Sequence, residues 1–192
     1  MIALGDIQNF WTLPPQWGST VAVSHSWKTG IQRGILGNEK RAAYNARYRL
    51  KEKFSVMATS YAESAWIKRN LYTHPHELWG VPIWPDITIV SPAAMTGATD
   101  IYCDTTYRHF KVDGFAILIS QADFRVYEAV QVTAVDPAYI SITVPLVADW
   151  LGGSVLYPLF AAKLSETEES KITAVVGRMT LTASELWLEG GS

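Results

Sequence analysis

The strongest constraint on the fold is an alternation of apolar and basic side chains between residues 44 and 57. Because successive side chains of a strand point to opposite faces of a sheet, this period predicts a β-strand with one buried face and a row of cations on the other. The apolar set is Tyr44, Ala46, Tyr48, Leu50, Phe54 and Val56, and the basic set is Arg47, Arg49, Lys51 and Lys53. Glu52 interrupts the apolar set, which predicts a bulge or a sheet rim there.

Charge is distributed unevenly along the chain. Residues 28–53 contain eight of the 16 basic side chains and two of the 18 acidic ones, a balance of +6, so the other 166 residues carry −8. Such a dipolar molecule favours contacts between oppositely charged surfaces. The basic strand then has three interpretations: a solvated edge that resists aggregation, an interface with the acidic surface of an identical neighbour, or a track for nucleic-acid phosphates. A sequence pI near 6.1 disfavours nucleic acid.

Composition predicts a globular chain with a substantial core. Apolar residues make up 48% of the sequence and there are eight tryptophans. No run reaches the roughly 18 apolar residues that a membrane helix needs, and the first residues lack the pattern of a secretory signal. The single cysteine, Cys103, excludes an intrachain disulfide. The length fits one domain, or one domain with a small insertion.

A short helix is predicted after the basic strand. Ser60 and Glu63 have the spacing of a capping box, and Thr73, His74 and Pro75 end the helix after about 10 to 12 residues. The aromatic stretch 78–86 follows. Its two prolines exclude a central helix or central strand and favour an extended, edge-type segment.

The second half of the chain has a β pattern. Asp113-Gly114 predicts a hairpin that joins a strand at 107–112 to Phe115–Ile119, and further strands are predicted near 124–135, 140–144 and 155–160. Five short strands at this spacing predict a small SH3-like barrel. After a polar loop at 165–170, the last strand region, 172–188, is expected to return to the sheet of residues 19–58.

These elements predict a mainly β architecture in three parts. Residues 1–18 form an N-terminal arm that packs on its own domain or reaches a neighbouring subunit. Residues 19–97 and 165–192 form a β-sandwich with one short α-helix. Residues 98–164 form the small SH3-like β-barrel, inserted into that sandwich.

Candidate catalytic and metal-binding groups are sparse. His74, His76, Cys103, Asp104 and His109 are the nearest approach to a set of metal ligands, and their spacing matches no standard metal module. Asp86, Asp100, Asp104 and Asp149 offer carboxylates for a glycosidase pair, and a hydrolase using Asp and His side chains of 100–109 stays open. We expect no enzyme, metal or cofactor, since no nucleophile elbow or phosphate-binding glycine loop is present.

The tryptophans divide into two groups. Trp66, Trp150 and Trp187 accompany predicted helix or strand segments and are expected in the core. The others considered, Trp11, Trp17, Trp79 and Trp84, lie near prolines in segments without a period, so they are predicted to contact neighbouring subunits. Exposed Trp79 and Trp84 would alternatively stack on sugars, as in a carbohydrate-binding module.

The order of features resembles the tail-tip proteins of tailed bacteriophages, in particular the distal-tail and baseplate class. The features are Trp27-Lys28-Thr29-Gly30-Ile31-Gln32-Arg33, the basic strand, the short helix, the segment from Trp79 to Trp84, Asp104-Thr105-Thr106-Tyr107-Arg108 with the following hairpin, and the turn from Trp150 to Gly153. The resemblance spans about residues 19–188. It implies a structural virion protein, assembled in the host cytoplasm, which forms a homo-oligomeric ring.

That resemblance also implies the partners. They are identical subunits and other tail proteins, namely the tail tube and the hub, with no membrane, and nucleic acid is disfavoured as a partner. The interface candidates are then Arg47, Arg49, Lys51, Lys53, Trp11, Trp17, Trp79 and Trp84.

Overall fold

A computed structural model describes residues 2–26, 29–33, 39–43, 48–74, 76–166, 171–172 and 177–186. In this part of the chain the protein is mainly β with one α-helix, and its large antiparallel sheet does not close on itself. The predicted fold class, mainly β with one short helix, is confirmed at this level.

Within the described ranges the regular structure consists of fourteen strands, one α-helix and two 3-10 turns. The helix α1 is Tyr61–Thr73, and the 3-10 turns are Leu4–Asp6 and Trp84–Asp86. The strands are β1 (Asn9–Phe10), β2 (Ala22–Ser26), β3 (Thr29–Arg33), β4 (Glu39–Ala43), β5 (Arg49–Ala58), β6 (Trp79–Pro82), β7 (Thr88–Ile89), β8 (Asp100–Tyr102), β9 (Phe115–Ile119), β10 (Tyr127–Asp136), β11 (Tyr139–Ile142), β12 (Val155–Glu166), β13 (Lys171–Ile172) and β14 (Gly177–Glu185).

The main sheet follows the strand order β2-β5-β14-β12-β9-β10-β11-β8. The short strands β6 and β7 pair with β12, β13 pairs with β14, and β1 pairs with β6. All of these pairs are antiparallel except β1 with β6. Strands β3 and β4 form a separate antiparallel pair.

The basic strand and the last strand are neighbours, as the sequence predicts. Strand β5 pairs with β14 without a register shift from Ala58 opposite Gly177 to Lys51 opposite Ser184. Within the described residues the predicted alternation holds, since Leu50, Phe54 and Val56 are buried whereas Lys51 and Lys53 are exposed. The predicted apolar positions Tyr44 and Ala46 lie outside the described residues. The predicted bulge or rim at Glu52 is wrong, because Glu52 lies within this uninterrupted ladder and pairs with Ala183 on β14 and Val23 on β2.

The buried side chains form two hydrophobic cores. Strand β9 serves both, because Ile117 and Ile119 belong to the first core and Ala116 and Leu118 to the second. The second core is built from residues between 90 and 156. Strand β12 pairs with β9 over 155–159 and with β14 over 162–166, so one strand runs continuously past residue 164. The division of the chain into domains at that point stays a prediction.

The N-terminal segment packs on its own chain. Strand β1 pairs in parallel with β6, and the Trp11 amide donates a hydrogen bond to the Gly80 carbonyl at 2.9 Å. Ile7, Trp11 and Leu13 are buried in the first core. Of the two expectations for the arm, the described residues therefore show packing on its own domain.

The helix begins where the sequence predicts. The Ser60 hydroxyl accepts a hydrogen bond from the Glu63 amide at 3.2 Å, as an N-cap residue does. The Glu63 carboxylate reaches back to the Thr59 amide at 2.6 Å. Ile67 faces the first core, and the helix ends at Thr73.

Two predictions about the β pattern are wrong. Residues 107–112 form no strand, because Tyr107 has φ 61° and the chain turns at Lys111–Gly114, with Asp113 at φ 60°. Strand β6 is also no edge. It lies between β1 and β12, and its proline, Pro82, sits at the last position of the strand.

Candidate functional site

The outward positions of β5 belong to a wider surface that strand register brings together. Lys51 lies opposite Ser24 of β2 on one side and opposite Ser184 of β14 on the other, and Ser184 in turn lies opposite Lys163 of β12. Arg178 of β14 faces the same way, opposite Met57. We call this surface the basic face and define it by its cations, Arg49, Lys51, Lys53, Lys163 and Arg178.

The basic face carries no acid among the outward positions that the structure describes on β2, β5, β12 and β14. Lys51, Lys53, Lys163 and Arg178 are exposed, and Arg49 is half-buried. The predicted interface residue Arg47 lies outside the described residues. Because β5 is paired on both sides, its lysines protect no sheet edge, and the interpretation of β5 as a solvated edge is wrong.

Three of the four tryptophans predicted at an interface lie in the first core. Trp11 and Trp84 are 0% exposed and Trp79 is 1% exposed. The Trp11 ring packs edge-on against Trp66 at 5.1 Å and lies 6.1 Å from Trp79, and Trp84 packs against Phe54 at 6.0 Å. The expectation that the nearby prolines hinder burial is wrong, so these three side chains are no longer candidates for contact with another molecule.

The remaining tryptophans have mixed positions. Trp17 is 57% exposed and stays a candidate contact residue. Trp150 is buried in the second core, as predicted, and its indole Nε1 donates to Glu128 at 2.8 Å. Trp187 lies outside the described residues. The buried rings of Trp79 and Trp84 leave no face for the sugar stacking that the carbohydrate-binding alternative requires.

A second surface of opposite sign lies on strands β8, β11 and β10, which join the sheet through β9. Asp100 of β8 lies opposite Ser141 of β11. Tyr102 of β8 lies opposite Tyr139 of β11, and Tyr139 in turn lies opposite Asp136 of β10. The rings of Tyr102 and Tyr139 lie 5.8 Å apart, and Tyr102 is 49% exposed. We call this surface, Asp100, Tyr102, Asp136 and Tyr139, the acidic-aromatic face.

The acidic-aromatic face belongs to a lobe with an excess of acids. Residues 90–156 contain seven acidic and three basic side chains, a balance of −4. Two of the three bases are already paired within the lobe, Arg108 with Asp104 at 2.8 Å and Arg125 with Asp123 at 2.9 Å. Hydrogen bonds from Thr106 and the pairing with Arg108 lower the pKa of Asp104 to about 2. The partners of Asp100 and Asp136 are neutral donors: the Ser141 hydroxyl at 2.6 Å and the Ala138 amide at 3.0 Å.

The side chain of Glu52 is a buried carboxyl in the first core. It is 0% exposed, and its Oε1 accepts a hydrogen bond from the Trp84 amide at 3.2 Å. Its other oxygen has no hydrogen-bond partner in the structure, and neither has the indole Nε1 of Trp84. Burial raises the pKa of Glu52 to about 8, with a further contribution from the nearby charge of Asp86.

The groups considered as metal ligands do not converge. His109 Nδ1 lies 2.5 Å from Asp86 Oδ2, an oxygen that also accepts from the His109 amide at 2.7 Å. His74 contacts Glu77 at 2.9 Å, and Cys103 is buried, which raises the pKa of its thiol to about 11. Across the described ranges, no three His, Cys, Asp or Glu side chains are grouped to hold a metal ion.

A cleft of about 310 Å³ lies where β9 and β14 meet along β12. Its polar groups are Tyr48, His109, Lys111, Asp113 and Glu185, and the rest of its wall is mainly apolar. Glu185 is held by the Leu50 amide at 2.6 Å. The Asp86–His109 pair borders this cleft, whereas Asp104 pairs with Arg108, so the Asp and His groups of the hydrolase alternative do not form one pair.

No family model matches the chain, and no curated protein matches it significantly. No helix in the described part of the chain is both long and apolar enough to cross a membrane.

Sequence reasoning found β5 but missed most of the two charged faces. Lys163 and Arg178 are far from β5 in sequence and join it only through strand register, which no local pattern reveals. Asp100 and Asp136 were visible as acids, yet their common face depends on the pairing of three strands, β8, β11 and β10. The one signal for this face in the sequence is the alternation in residues 139–142, of which Ile140 and Ile142 are buried.

Proposed function

We propose that this chain is a structural subunit of a bacteriophage tail tip, forming a homo-oligomeric ring that connects the tail tube to the distal tail or baseplate. The observation that carries the proposal is the opposite charge of two different faces of the sheet, one on β2, β5, β14 and β12 and the other on β8, β11 and β10. A subunit with a basic face and a separate acidic-aromatic face suits head-to-tail association with its own copies.

The resemblance of residues 19–188 to the tail-tip proteins of tailed bacteriophages supports the phage assignment. The same resemblance supports a finer architecture for the chain, with a β-sandwich of residues 19–97 and 165–192 and a small SH3-like barrel formed by 98–164. In this proposal the chain is not an enzyme, its partners are identical subunits, tail tube and hub proteins, and its location is the virion tail.

Two measurements test this function. Light scattering or native mass spectrometry of the purified chain should give a discrete multimer at low salt, and an antibody against the chain should label one end of purified tails. A chain that stays monomeric at high concentration and is missing from virions contradicts the proposal.

A further inference from the structure

We propose that the basic face of one copy binds the acidic-aromatic face of the next copy. This inference rests on the ring function proposed above and names the two surfaces that would hold the ring together. The contact is one between sheet faces, so it does not require a free strand edge.

The basic side of this contact is a regular polar row. Ser24, Lys51, Ser184 and Lys163 are in register across four neighbouring strands. Because adjacent strands are about 4.8 Å apart, the backbones at Lys51 and Lys163 are separated by roughly 10 Å, with a serine between them. Both lysines are exposed, and the structure shows no ion pair for either with a described acid.

The acidic side has two carboxylates on one face, placed on a diagonal: Asp100 is in the row of Ser141, and Asp136 is in the row of Tyr139 and Tyr102. Asp100 on β8 and Asp136 on β10 are separated by one strand, β11, as Lys51 and Lys163 are separated by β14. Two tyrosines lie between and beside them. A partly exposed aromatic pair next to charged groups is typical of the residues that stabilise protein interfaces.

The position of the two faces determines what the contact can build. They lie on two branches of the sheet, because β14 and β9 pair with successive parts of the same side of β12, at 162–166 and 155–159, across from β6 and β7. A contact between two different surfaces is heterologous, and repeated heterologous contacts close into a ring when the rotation between copies permits. The exposed aromatic pair beside the carboxylates favours a second copy over nucleic acid, which would need only the basic face.

The first experiment reverses the charge of each face separately. Lys51→Glu with Lys163→Glu changes the basic face, and Asp100→Lys with Asp136→Asn changes the acidic-aromatic face. Each variant should raise the concentration needed for half-assembly at least tenfold at low salt. Lys68→Glu with Arg69→Glu is the matched control for the basic-face variant, since it makes the same charge change on exposed positions of α1 and should assemble like the unmodified chain.

The second experiment mixes the two face variants. In the mixture, the altered basic face of one variant, now acidic at positions 51 and 163, meets the altered acidic-aromatic face of the other, now basic at position 100. The unmodified Asp100 of the first variant meets the unmodified Lys51 and Lys163 of the second. At a concentration where each variant alone is monomeric, native mass spectrometry of the mixture should then detect multimers that contain both variants. Circular dichroism of each variant verifies that it is folded.

Several outcomes contradict the inference. If the unmodified chain assembles and both face variants assemble equally well, these faces are not the interface, while the ring function stands. If Lys51→Glu with Lys163→Glu abolishes retention on heparin without changing assembly, the basic face binds polyanions instead. If the unmodified chain is monomeric at low salt and high concentration, the ring function and this inference fall together.

Discussion

At the scale of single residues, the buried Glu52 carboxyl determines how stability depends on pH. Its pKa is about 8 in the folded chain against 4.5 for an ordinary Glu side chain, so the folded state holds this proton more tightly. The contribution of protonated Glu52 to the free energy of unfolding is therefore fully present below about pH 4.5 and is lost as the pH rises through 8. At pH 9 the ionised carboxyl costs on the order of 5 kcal/mol relative to the neutral form.

We predict that Glu52→Gln removes the loss of folding stability at high pH. The amide oxygen can still accept from the Trp84 amide, and the side chain stays neutral at all pH values. Urea unfolding at pH 5 and pH 9 should show a much smaller difference in the free energy of unfolding for the variant than for the unmodified chain. Equal pH dependence in Glu52→Gln and the unmodified chain would show that Glu52 titrates normally.

Single residues also show where sequence reasoning ends. Glu52 stood out as the break in an apolar face, but only the structure shows that it occupies a regular core position. The sequence predicts that Trp79 and Trp84 contact neighbouring subunits, because prolines lie next to them. The prolines are tolerated at the end of β6 and in a 3-10 turn, where they leave the rings free to enter the core.

At the scale of elements, the docking of the N-terminal segment depends on Gly80 of β6. A Cβ atom at this position would lie 2.6 Å and 2.8 Å from two ring carbons of Phe10 and 3.0 Å from Leu159 Cδ2. We predict that Gly80→Ala displaces the Phe10 ring and destabilises the chain by about 1 to 3 kcal/mol in urea unfolding.

Two further variants test this explanation. Gly18→Ala should be close to neutral, since no atom lies within 4 Å of its added Cβ. Phe10→Leu in the Gly80→Ala background should recover part of the loss, because a smaller side chain relieves the clash. If Gly80→Ala is as stable as the unmodified chain, the segment is not packed against β6 as described.

The helix N-cap gives a second prediction for an element. Ser60→Ala removes the acceptor of the Glu63 amide and should cost about 1 kcal/mol, whereas Ser60→Asp keeps an acceptor and should cost much less. The midpoint of urea unfolding measures both. Equal losses in the two variants would mean that the hydrogen bond to Ser60 contributes nothing.

Local patterns predicted these elements well where one physical cause dominated. The period of two found β5, the cap signal found α1, and the strands predicted near 124–135 and 140–144 correspond to β10 and β11. The strand expected at 107–112 failed because Tyr107 adopts a positive φ, which its residue type does not announce. Which strands pair, and therefore which cations share a face, depends on contacts distant in sequence.

At the scale of the whole molecule, the two hydrophobic cores share strands. Leu156 belongs to the second core and its neighbour Tyr157 to the first, and the side chains of β9 alternate in the same way. The sequence suggested a separable barrel because its strands are short and closely spaced. A shared strand couples the two cores, since unfolding of either one exposes apolar side chains on a strand that the other needs.

We therefore predict that the two cores unfold together. Ile140→Ala in the second core should lower the free energy of unfolding by about 2 to 5 kcal/mol. Hydrogen exchange measured by mass spectrometry should then accelerate by the same factor in peptides from β10 and β11 and in peptides from β5 and β14. Val56→Ala in the first core is the reciprocal variant and should also affect both sets. Acceleration confined to 90–156 in Ile140→Ala would show instead that the second core is an independent folding unit.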